Sequence, residues 1–73
     1  MEYIRVLLID LPPRIHGLTV YQPGSDEYTI LINARLSDQM QCEAYDHEIE
    51  HINKRDFQSM LTADQLEGLR HAG

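Results

Sequence analysis

The sequence predicts an α+β domain in which a small, mainly antiparallel sheet backs one long helix, followed by a second, C-terminal helix. Three observations predict it. Short β-branched and apolar runs fill the first half of the chain, proline- and glycine-containing breaks separate them, and helical periodicity begins at Asp38. With 73 residues, 42% of them hydrophobic, the chain supports one domain over residues 1–73 with a thin core.

Tyr3 to Ile9 is nearly continuous in large apolar residues and reads as a buried strand. Asp10-Leu11-Pro12-Pro13 ends it, because two prolines cannot continue a hydrogen-bonded ladder. Leu18 to Tyr21 and Tyr28 to Ile32 are two further strands. The turn chemistry of Gln22-Pro23-Gly24-Ser25-Asp26 joins them as a hairpin.

Ser37 suits an N-cap and Asp38 the positive end of a helix dipole, so a helix is expected from Asp38 to about Asn53. It shows two separate stripes. Cys42, Tyr45, Ile49 and Ile52 form the one expected to pack on the sheet, with Cys42 buried and inert. Met40, Ala44, His47 and His51 form the other, with Glu48 at its edge. After a polar connection over residues 53–59, Thr62 and Gln65 make a capping box that opens a second helix, roughly Ala63 to His71. Its Asp64, Glu67 and His71 share one face.

The net charge is −6, from 12 acidic and 6 basic residues. That balance argues against direct contact with nucleic acid or an anionic membrane, and Lys54-Arg55 is too small a basic cluster to change it. Val6 to Ile9 is too short an apolar run for a signal peptide core, and no segment has the length of a membrane span. The lone Cys42 leaves no internal disulfide framework. These features together point to a cytoplasmic protein, whose small core leaves room for a homodimer.

His47-Glu48-Ile49-Glu50-His51 spells HExxH inside the first helix. Residues four apart sit one turn above each other, so both imidazoles can reach one metal ion. Glu48, beside His47, is the candidate catalytic base that takes a proton from water at the metal. A catalytic zinc takes three protein ligands. The third is expected from the acidic and histidine face of the second helix, where Glu67 lies 16 residues after His51 and Asp64 and His71 are the alternatives. His16 and the tyrosines at 3, 21, 28 and 45 carry no assignable role.

The run Asn33-Ala34-Arg35-Leu36-Ser37, then the HExxH helix, then Leu66-Glu67 in a second amphipathic helix resembles the ImmA/IrrE family of zinc metallopeptidases, especially its compact phage and mobile-element members. The likeness extends over residues 3 to about 71. It implies a minimal zincin-like fold with one Zn2+ per chain held by His47, His51 and Glu67, and Glu48 as the catalytic residue. It also implies an endopeptidase whose substrate is a cytoplasmic protein such as a helix-turn-helix repressor. Two features differ from the family pattern: Gly68-Leu69-Arg70 stands where an alanine-rich continuation is usual, and the sequence stops at Gly73. An extended substrate peptide is expected to add to an edge strand beside the metal helix, with Tyr28 to Ile32 as the candidate. The contrasting expectation is a non-catalytic acidic inhibitor or adaptor that keeps the zincin-like scaffold and binds a basic protein surface.

Overall fold

The computed structural model describes the backbone of residues 2–72 and the side chains of residues 2–68. In chain order the elements are β1 (Tyr3–Ile9), β2 (Gly17–Tyr21), β3 (Glu27–Asn33), α1 (Asp38–Asn53), a 3-10 turn (Phe57–Ser59), β4 (Leu61–Thr62) and α2 (Ala63–Ala72). This is an α+β fold of one four-stranded sheet, ordered β1-β3-β2-β4, and two α-helices. Both helices start as the sequence implies. Ser37 Oγ accepts from Met40 N at 3.3 Å, and Thr62 and Gln65 bond reciprocally.

The sheet is mixed rather than mainly antiparallel. β2 and β3 form the expected hairpin, with Gly24 at φ 81 in its turn, but β1–β3 and β2–β4 are parallel pairs. The cause is visible at Asn33, which is only 1% exposed. Its Nδ2 donates to the carbonyls of Leu11, Pro12 and Ile15, and its Oδ1 accepts from Leu11 N. One side chain therefore satisfies the irregular backbone of the Pro12-Pro13 connection and pins it at the end of β3. The chain passes over that end, skips one strand position and returns as β2, leaving the middle place for β3.

Two strand expectations are overturned by this order. Tyr28 to Ile32 is the centre of the sheet, not an edge, and its residues 28, 30, 31 and 32 are buried. Tyr3 to Ile9 is an edge strand whose Val6, Leu7, Leu8 and Ile9 remain exposed. An unbroken apolar run does not distinguish a central strand from an edge, because neighbour order is set by the connections.

The core lies between the sheet and α1. Tyr28, Ile30 and Ile32 meet Ala44, Ile52 and Met60, with Ile4, Tyr21, Leu36 and Ile49 packed around them. The buried positions of α1 are Ala44, Glu48 and Ile52, each one turn apart. Cys42 is exposed and Tyr45 is 38% exposed, against the expected stripe. Small Ala44 lets the helix approach β3 closely, and the helix turns its Glu48 side toward β2 instead. α2 makes its main contacts with β4 and β2 rather than lying across α1. The short β4, paired to β2 at Val20–Leu61 and Tyr21–Thr62, fixes where α2 begins. Among the described residues, no helix is long and apolar enough to cross a membrane.

Candidate metal centre

The two histidines of α1 come together as their spacing requires. His47 Nε2 and His51 Nε2 are 3.1 Å apart, with the rings edge to face at 87° and centroids 4.6 Å apart. Two nitrogens bound to one tetrahedral zinc at roughly 2.0–2.1 Å would be about 3.3 Å apart, so the observed pair fits a common ion with little movement. His47 is exposed and His51 half-buried, leaving the His47 side open to solvent.

Glu48 completes the cluster. One ligand atom from each of His47, Glu48 and His51 lies within 4.8 Å of the others. The sequence puts Glu48 at the edge of the histidine stripe, away from the stripe expected to pack on the sheet; the structure buries it to 6% exposure. Two β2 residues make that burial tolerable. Gly17 offers no side chain, and a Cβ built there would stand 3.4 Å from Glu48 Cγ and 3.3 Å from both Ile32 Cδ1 and Leu31 O. Thr19, 1% exposed, donates its hydroxyl to Glu48 Oε1 at 2.9 Å. A buried carboxylate is costly without such a donor. Glu50, the other carboxylate within the motif, is engaged elsewhere. Lys54 Nζ donates to it at 2.6 Å, and this hydrogen bond and charge hold its carboxyl below the ordinary value.

A cleft of about 540 Å³ opens beside the cluster. It is lined by Gly17 and Leu18 of β2, by Met40, Glu43, His47 and Glu48 of α1, and by Arg14 and His16 of the β1–β2 connection. His16, to which the sequence gives no role, therefore faces the same space as the motif, as does Arg14. Neither carries a local sequence signal, because the fold of the proline-containing connection brings them there.

The Gly17–Leu18 end of β2 borders this cleft. Asn33 N donates to His16 O at 2.9 Å, so the alternation of an antiparallel ladder puts the next bonded pairs at Leu18–Leu31 and Val20–Thr29. Gly17 and Thr19 therefore turn their backbone groups away from β3. β4 reaches only to Val20 and Tyr21, so on the side away from β3 the Gly17 end of β2 has no paired strand among the described residues.

The candidate third ligands are placed differently. Glu67 is exposed on α2 and is not in the His47–Glu48–His51 group. Asp64 lines a separate hollow with Val20, Thr29 and Thr62. The side chain of His71 lies outside the described residues. Sequence spacing allows the second helix to cross the first, but β4 ties it to the sheet.

No protein-family model, curated protein or solved structure matches this chain.

Proposed function

We propose that the protein is a zinc-dependent endopeptidase of the ImmA/IrrE type, acting on a cytoplasmic protein and, within that class, on a helix-turn-helix repressor. The observation that carries this reading is the facing pair of imidazole nitrogens, 3.1 Å apart, with the Glu48 carboxylate beside them at the wall of an open cleft. His47 and His51 are the two ligands in this proposal. Glu67 enters it as the third ligand suggested by the sequence, and loss of zinc affinity in a Glu67→Gln variant is its test.

Zinc supplies the Lewis acidity that activates water and polarises a carbonyl. The chain's own residues do the rest. Glu48 is the general base and then carries the proton to the leaving amine. Thr19 holds one carboxylate oxygen of Glu48, a residue that lines the cleft. On its side away from β3, the Gly17 end of β2 offers backbone groups to an extended peptide, which would lie along the cleft past His47.

The reading is tested by incubating the zinc-loaded protein and a Glu48→Gln variant with a proteome-derived peptide library and reading new N-termini by mass spectrometry. Cleavage by the wild type alone supports it. Equal results from both proteins contradict it and favour the acidic adaptor, to which the net charge of −6 is suited.

A further inference from the structure

We infer that Asp56 is a positioning residue for the metal site: its carboxylate fixes the ring of His51 so that the nitrogen facing His47 carries the free lone pair. This inference rests on reading His47 and His51 as ligands, but its geometry is independent of that reading. Asp56 Oδ2 stands 3.5 Å from His51 Nδ1, while the ring's other nitrogen faces His47 Nε2 at 3.1 Å. An acceptor on the Nδ1 side favours the proton there and leaves Nε2 as the donor atom toward a metal. At 3.5 Å the contact is a pairing distance rather than a short hydrogen bond.

The backbone explains why Asp56 arrives at that place. Lys54 is the C-cap of α1, and Arg55 follows at φ 52. Arg55 N then donates to Ile52 O and Asp56 N to His51 O, each at 3.0 Å. These are the two bonds of a Schellman motif, which reverses the chain over the last turn of a helix. The residue whose carbonyl Asp56 caps is His51 itself. The carboxylate is held in turn, because Ser59 Oγ donates to Asp56 Oδ2 at 2.9 Å and Ser59 N to Asp56 O at 3.0 Å. Glycine is the usual residue at the left-handed position, and here an arginine occupies it.

The arrangement assigns the protons of the metal-free pair. At 3.1 Å one imidazole donates to the other, and Asp56 makes His51 the acceptor and His47 the donor. Long-range proton–nitrogen correlation spectra of the metal-free protein read this directly. The expected result is His51 protonated on Nδ1 and His47 on Nε2 in the wild type, with His51 moving toward the Nε2-protonated form in Asp56→Ala. Competition with a chromogenic chelator should show zinc bound ~10–100-fold more weakly by Asp56→Ala, with the isosteric Asp56→Asn between. A wild-type His51 protonated on Nε2, or wild-type zinc affinity in Asp56→Ala with its circular dichroism unchanged, would overturn the inference. A wild type that binds no zinc would instead overturn the metal reading above, and the ring spectra would still decide the role of Asp56.

Discussion

Thr19 Oγ1 donates to Glu48 Oε1 at 2.9 Å across the seam between β2 and α1, with both residues almost wholly buried. The bond ties the central carboxylate of the HExxH motif to the sheet rather than to solvent. It predicts that Thr19→Val, similar in shape and lacking the hydroxyl, destabilises the fold by ~1–3 kcal/mol, because it strands a buried carboxylate. Thr19→Ser should restore most of the loss. Urea unfolding of the three proteins at neutral pH checks both expectations.

Glu48→Gln is expected to behave differently. The amide oxygen can still accept from Thr19, so the folded state should be retained, and zinc binding with it. Turnover should fall by ~10²–10⁴-fold, the usual contribution of a positioned base. Parallel measurements of zinc content and peptide cleavage separate the two effects, and a variant that loses zinc would place Glu48 among the ligands instead.

Asn33, like Glu48, is a buried polar side chain, and it sits at the end of β3. Its amide serves three carbonyls, and its oxygen accepts from the backbone of Leu11 and Arg35. Replacing it with alanine leaves several of these groups buried without partners, at a cost of about 3 kcal/mol or more. Hydrogen exchange at Leu11 N should accelerate in Asn33→Ala before that in the centre of β3 does.

The histidine pair, the helix that carries it, both helix caps and the β2–β3 hairpin were legible in the sequence, because each depends on residues near one another in the chain. The strand order was not. It depends on Asn33 reaching back to Leu11, Pro12 and Ile15, a contact that no periodicity reports. The face of α1 was misjudged for a related reason: Glu48 counts as polar in any pattern, yet Gly17 and Thr19 of a distant strand give it a buried seat. Asp56 was hidden by the arginine at the left-handed position before it, where a glycine would have signalled the turn.

That arginine carries its own prediction. Arg55→Gly removes the left-handed strain, worth ~1 kcal/mol, and loses only a partly exposed contact to Glu2 and a 3.4 Å bond to the Tyr28 hydroxyl. Thermal unfolding should show stability unchanged or slightly raised, with the Asp56–His51 contact preserved. A marked loss would mean that the Glu2 and Tyr28 contacts outweigh the backbone strain.

The most direct test of the central claim is the zinc content of the protein, purified without a metal-binding tag, beside a His47→Ala variant. The account predicts about one zinc per chain in the wild type and its loss in the variant. A wild type that holds no zinc even after zinc is added, or a His47→Ala variant that holds as much as the wild type, would contradict it.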